Sequence, residues 1–206
     1  MLVTNYFTVV NLSIPSSWIA FIVAFVVAYS AVRVWYGKKH AETLSDTFFY
    51  VVIVWKLSVV LTDFSSIIRS PLSLVYFDGG VVGFYLGLVF IAGKVALDRK
   101  KGRLAAEGVQ ALVAGAVAVQ TVYQVMMVLL NDGQLLVQIV TVVAFVLFAL
   151  FYWIKSDGSL PFVWLFMAVH VFVAVWQPAG LVGTPFMTTL LIGCFFIALD
   201  WRNRRE

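Results

Sequence analysis

Charge is scarce in this chain of 206 residues: Lys, Arg, Asp and Glu make up 12% of it, against about a quarter of an ordinary soluble domain. Cysteine is nearly absent. The one copy, Cys194, lies in a late apolar run, with no CxxC pair and no Cys/His cluster. Disulfide exchange and a zinc or other metal site are therefore unsupported, and no cofactor is expected. The N-terminus also lacks the marks of a secretory signal. No basic segment precedes its first apolar run, which is too long and has no small-residue cleavage site.

What is present is apolar. Hydrophobic residues make up 63% of the chain and the mean hydropathy is +1.00. A core of this size cannot hide that much, so something other than water must cover the surface. This excludes a soluble globular enzyme, a disordered segment and a disulfide scaffold. Lipid is the natural cover. A bilayer core of about 30 Å takes roughly 20 apolar residues per helix, so seven spans would use about 140 residues and leave short loops. No segment is long and polar enough to form a separate soluble domain, and residues 1–206 read as a single membrane domain.

Seven apolar runs are legible, at about 15–35, 47–62, 79–97, 104–130, 135–154, 160–176 and 185–199. They are too long and too uniformly apolar for barrel strands. Residues 1–13 are mixed and are expected at a membrane interface. Ser45-Asp46 has N-cap chemistry for the second run, Asn131-Asp132-Gly133 is a turn signal, and Pro178-Ala179-Gly180 breaks the sixth run. The expected fold is an all-α integral membrane protein, a seven-transmembrane-helix bundle. Lys38, Lys39, the 99–103 cluster, Lys155 and the basic tail 202–205 fall on one side, and Arg69 is the only loop cation on the other. The positive-inside rule puts the N-terminus outside and the C-terminus in the cytoplasm. The net charge of +4 and the pI of about 9.3 then reflect topology, and no nucleic-acid partner is expected.

Polar residues inside apolar runs need a reason. Lys56 falls mid-way along the second run, with Asp63 seven residues later on the same face. They form an ion pair, or Lys56 snorkels toward the interface, or it is a cation facing a cavity that holds an anionic headgroup. Asp78-Gly79-Gly80 opens the third run. Asp78 reads as an N-cap, or the glycines expose backbone N–H groups as an anion site. Gly83 and Gly87 continue a GxxxG pattern, most simply a close helix contact. In the fourth run Glu107, Gln110, Gln120, Thr121 and Gln124 fall within a sector of roughly 140°. They line a wet cavity or glue the centre of the bundle. His170 in the sixth run shares a stripe with Gln177 and has no serine or acid at a readable spacing to complete a triad. Arg69 could meet lipid phosphate at the outer interface.

Three stretches carry a likeness: Leu12-Ser13-Ile14-Pro15 with Trp18, Ser73 to Gly83 (SLVYFDGGVVG), and Val137 to Arg205 with its loop positions and basic tail. Together they make the chain resemble the prolipoprotein diacylglyceryl transferase family of bacterial lipoprotein maturation. The resemblance implies seven spans in the orientation derived above, in the bacterial cytoplasmic membrane. It implies a phospholipid partner, phosphatidylglycerol, and a lipoprotein or other membrane protein as second partner. It aligns Lys56 with the arginine of the family's second span and Asp78 with its reactive histidine before Gly-Gly. The sixth-span Arg…Glu…Arg pattern becomes His170, Ala174 and Gln177, Trp-Tyr-Gly becomes Trp18-Ile19-Ala20, and the Gly-Arg-x-Gly-Asn-Phe signature has no counterpart.

In that family, arginines hold the glycerol phosphate while a lipoprotein thiol attacks, and a lysine does not replace the bidentate fork. The expectation is a divergent member that handles a lipid or lipoprotein without the standard catalytic set. Its headgroup site would be Lys56, Arg69, Gly79 and Gly80, and its polar cavity Asp63, Glu107, Gln110, Gln120, Gln124 and Gln177. The alternative is an active phospholipid-dependent transferase of altered chemistry with Asp78 and His170 as catalytic residues. A transporter is disfavoured, because no internal repeat is visible.

Overall fold

The computed structural model describes residues 3–9, 12–70, 77–155 and 160–203. Pro71 and the 73–76 part of the outer motif, Ser156-Asp157-Gly158, and the tail residues Arg204 and Arg205 lie outside the described residues. The chain is 84% helical. It forms two compact units, one of residues 1–41 with 110–206, the other of residues 42–109.

The first unit begins with a hairpin, where the expectation named only an interfacial segment. β1 (Tyr6–Val9) pairs antiparallel with β2 (Leu12–Pro15), with Tyr6 opposite Pro15 and Thr8 opposite Ser13. Pro15, with φ −66° and ψ 144°, caps α1 (Ser16–Tyr36); its ring fixes a φ suited to helix entry and it has no N–H to satisfy. A stripe at four-residue spacing, Ser16, Ala20, Ala24, Ala28 and Val32, is fully buried. Short side chains on that stripe let a neighbouring helix approach closely. Gly37 ends α1 at φ +85°, a backbone conformation that L side chains avoid.

α2 (Lys38–Leu57) begins immediately after Gly37, nine residues before the expected start at 47. Ser45-Asp46 is therefore interior rather than a cap. The positive φ of Gly37 ends α1, and the Gly37 carbonyl accepts the Ala41 N–H at 3.2 Å in the first turn of the next helix. Polar side chains inside the helix are then satisfied locally, as where Thr47 Oγ1 donates to the Thr43 carbonyl at 2.8 Å.

The second unit holds most of α2, then α3 (Val59–Thr62), α4 (Phe64–Arg69) and α5 (Gly80–Lys100). Its close contact is the GxxxG stripe. A Cβ at Gly79 or Gly83 would collide with Ser58 Oγ, and one at Gly87 would stand 2.8 Å from the Val51 carbonyl oxygen. The glycines thus let α5 lie directly on α2, as the spacing suggested. At the other end of α5, Lys94 pairs with Asp98 at 2.7 Å, and Gly102 at φ +71° turns the chain toward the next helix.

α6 (Ala106–Leu130) is the most buried apolar helix: 56% of its apolar stretch is covered, against 22–28% in the other long ones. α7 (Leu135–Lys155), α8 (Leu160–Trp176), a 3-10 turn (Gly180–Val182) and α9 (Thr184–Asn203) complete the first unit. Phe148 stacks on Phe166 between α7 and α8, and Ala20 of α1 packs with Met127 and Val137. Six helices among the described residues are long and apolar enough to cross a membrane. The sixth run, α8, is an apolar helix of 17 residues, about 25 Å at 1.5 Å per residue. The protein is a multi-pass helical membrane protein, and among the described residues its strands are those of the N-terminal hairpin.

Candidate functional site

The apolar interior of the first unit contains a polar cluster formed where α6, α7, α8 and α9 meet. His170 of α8, Gln124 of α6 and Thr141 of α7 are fully buried, and Thr189 of α9 and Gln177 are nearly so. Gln177 Nε2 donates to Gln124 Oε1 at 3.1 Å and lies 3.4 Å from Thr141 Oγ1. That bond orients the Gln124 amide, so its NH₂ faces His170 Nε2 at 3.1 Å. A nitrogen that accepts this bond carries no proton. The ring proton then sits on Nδ1, 2.7 Å from Thr189 Oγ1. Phe145 and Phe186 meet the imidazole edge to face, with centroids at 5.0 and 5.5 Å. The result is a neutral, internally paired chain of hydrogen bonds in an apolar wall. Such a network fixes register between helices.

Chemically the direction of these bonds matters. A general base activates a hydroxyl by presenting a lone pair to it. Here Nδ1–H donates to the Thr189 hydroxyl, and the lone pair on Nε2 is taken by an amide. The Thr-His-Gln order resembles a triad in composition but runs the proton the wrong way.

Gln120 of α6 lies one turn from Gln124 and donates to the Pro185 carbonyl at 3.0 Å. The polar face read in the fourth run thus divides. Gln120, Thr121 and Gln124 are buried, Gln110 is half-buried, and Glu107 is exposed in the first turn. Thr141, Thr189 and the two phenylalanines around His170 were not anticipated. Threonine inside the fifth and seventh apolar runs was the available signal.

A second polar centre joins the N-terminus to the α6–α7 turn. Asn131 Oδ1 accepts from Thr4 N at 2.8 Å and Ser16 Oγ at 2.7 Å, and Asn131 Nδ2 donates to the Met127 carbonyl at 3.0 Å. The sequence marked Asn131 only as a turn residue. Its burial makes it the peg that holds the hairpin.

The remaining candidates lie in the second unit. Asp78 Oδ1 accepts the Gly80 N–H at 2.8 Å, a turn one residue before the helix; the N-cap position itself falls on Gly79, not on Asp78 as expected. Gly79 N donates to the Trp55 carbonyl at 3.1 Å, and Trp55 Nε1 donates to the Gly80 carbonyl at 2.9 Å. The two amides offered as an anion site already have partners within the chain. Lys56 stands in the last turn of α2, not mid-way along it, because the helix runs from Lys38 and ends at Leu57. That position lets its long stem carry the ammonium outward. Asp63 and Arg69 are exposed. The helix breaks at Ser58 and ends at Thr62, and Asp63 has φ −145° and ψ 55°. The seven-residue facing of Lys56 and Asp63 is therefore not kept. Among the described residues no group of three or more His, Cys, Asp or Glu side chains could hold a metal ion.

No family model, curated protein or solved structure matches this chain.

Proposed function

We propose that the protein is a prolipoprotein diacylglyceryl transferase-like membrane protein that handles a lipid or lipoprotein without performing transfer. The carrying observation is the proton direction in the buried cluster. His170, the one histidine in the apolar interior, donates to its neighbouring hydroxyl and accepts from an amide, so it neither activates a nucleophile nor clamps a phosphate. Asp78, the other catalytic candidate, is spent on a backbone N–H.

The proposal includes seven crossings of a bacterial cytoplasmic membrane, with α8 as the shortest, the N-terminus outside and the C-terminus in the cytoplasm. Cation placement supports the orientation. The bond from Thr4 N to Asn131 supports the count of the first four crossings, since an even number returns the chain to the side on which it began. The lipid partner would be phosphatidylglycerol or a related anionic phospholipid, met at the outer ends of α2 and α4 by Lys56 and Arg69.

Complementation tests the reading. A strain depleted of its diacylglyceryl transferase and supplied with this protein should not recover, and mass spectrometry should find no diacylglyceryl-modified cysteine on its lipoproteins. Rescue would overturn the non-catalytic reading in favour of altered transferase chemistry. Lys56→Ala or Asp78→Asn would then abolish the modification.

A further inference from the structure

The helix pair of the second unit carries charges at both ends of a short apolar stretch. α2 and α5 lie directly against each other. At one end Trp55 Nε1 donates to the Gly80 carbonyl at 2.9 Å, and in the middle Gly87 rests on the Val51 backbone. At the other end the rings of Tyr50 and Phe90 have centroids 6.2 Å apart, and the Lys94 ammonium stands 5.5 Å from the centre of the Tyr50 ring. Asp98, paired with Lys94, lies beyond that end, as does exposed Asp46, one turn before Tyr50 on α2. Asp78, Lys56 and exposed Asp63 close the end at Gly80.

Between these charges the helices are short. From Gly80 to Gly93 α5 has 14 uncharged residues, about 21 Å at 1.5 Å per residue. On α2 the uncharged stretch from Thr47 to Trp55 is shorter still, although the long stem of Lys56 carries its ammonium outward. α7 of the first unit shows the ordinary case. It has no charge over the 20 residues from Leu135 to Ile154, about 30 Å and the usual thickness of the hydrocarbon layer. The face of α5 is nonetheless apolar and open between its charged ends: Val81, Val82 and Val89 are all more than half exposed.

A layer of ordinary thickness would need about six more residues of α5. In one direction these include Lys94, Asp98 and Arg99 and reach the level of Asp46; in the other the layer would cover Asp78 and Asp63. A carboxylate held at membrane depth costs far more than an ångström of mismatch does, so the lipid adjusts instead. We propose that the second unit thins the bilayer where it meets α2 and α5. It holds a hydrocarbon layer of about 21 Å against them and draws the headgroups of the two leaflets about 9 Å closer than in an ordinary bilayer. The occupant of this face is phospholipid with tilted or compressed acyl chains. The inference goes beyond the lipid-handling reading and rests neither on it nor on the orientation of the chain.

The test uses the full-length protein in dioleoyl phosphatidylcholine vesicles, in a Cys194→Ala background. A fluorophore is placed on Leu86→Cys, mid-way along the apolar stretch of α5, or on Leu147→Cys, mid-way along α7; both positions are exposed. Quenching by a nitroxide near the acyl carbonyl is compared with quenching by one at the chain end. In a thinned layer the carbonyl end comes closer to the midplane, so the ratio of carbonyl-end to chain-end quenching should be about 2-fold or more higher at position 86 than at position 147. Equal ratios mean a layer of full thickness and overturn the proposal. A fluorophore at position 86 that neither nitroxide quenches shows protein on this face, a second copy for instance. Labelling of Leu86→Cys by an impermeant maleimide present on both sides shows water there. Either result overturns the proposal. Asp46→Leu combined with Lys94→Leu lengthens the apolar stretch and should bring the ratio at position 86 down to that at position 147. A ratio that stays high in the inserted variant overturns the role given to these charges. Complementation bears on none of these ratios, so this inference and the lipid-handling reading fail separately.

Discussion

Gln124 Nε2 faces His170 Nε2 at 3.1 Å, and this one contact assigns the imidazole proton to the opposite nitrogen. It is held in place because Gln177 fixes the other end of the same amide. The two glutamines together make His170 a structural donor.

Gln124→Leu should therefore cost more than a single hydrogen bond. It takes the partner from His170 Nε2 and one of the bonds from the Gln177 amide, deep among buried side chains. Interhelical bonds in membranes are worth about 0.6 kcal/mol each on average, and a buried orphan adds about 1–3 kcal/mol. A loss of about 2–3 kcal/mol is expected, read as a lowered Tm in detergent. His170→Asn should recover part of the stability lost in His170→Leu, because it restores a polar partner for Gln124.

The stripe on α5 predicts opposite signs for two similar substitutions. Gly87→Leu drives a side chain into the Val51 backbone and should destabilise by about 2 kcal/mol or more. Gly93→Ala meets nothing within 4 Å and should be neutral or gain up to about 1 kcal/mol from helix propensity. Thermal unfolding of the two variants side by side checks this.

Asn131→Ala should free the N-terminal hairpin without unfolding the helices. Thr4 N and Ser16 Oγ lose their acceptor. A two-stranded hairpin is marginal on its own. Amide exchange at Thr4, Asn5 and β1 should rise on the order of tenfold or more, while exchange in α6 and α7 stays near its original rate.

Reporter fusions after Lys101 and after Asn203 should be active only as cytoplasmic reporters, and fusions after Arg69 and Asp132 only as exported ones. An exported reporter at Asn203 would reverse the orientation. It would leave the hydrogen-bond geometry of the buried cluster as it is.

The sites divide according to what a single chain can show. The glycine stripe was legible because it depends on spacing along one helix. The start of α2 was misread because Ser45-Asp46 has better cap chemistry than Gly37 has visible turning power. The positive φ of Gly37 decided the matter, and a sequence does not display φ. Lys56 falls in the last turn because α2 also ends early, at Leu57. The fourth-run polar face was visible as a face, but its division into a buried half and an exposed end depends on which helices cover it.

Composition and the order of apolar runs alone determined that this is a multi-pass helical membrane protein, because transfer of apolar surface out of water is a sum over residues and needs no knowledge of partners. Tertiary structure alone decided what the polar residues do. Gln124, Thr141, His170, Gln177 and Thr189 come from four helices and the turn after one of them. Each could face lipid, water or a neighbour until the helices are set side by side. Hydrogen bonds are short-ranged and directional, so their roles, down to the nitrogen that carries the His170 proton, exist only once that register is fixed.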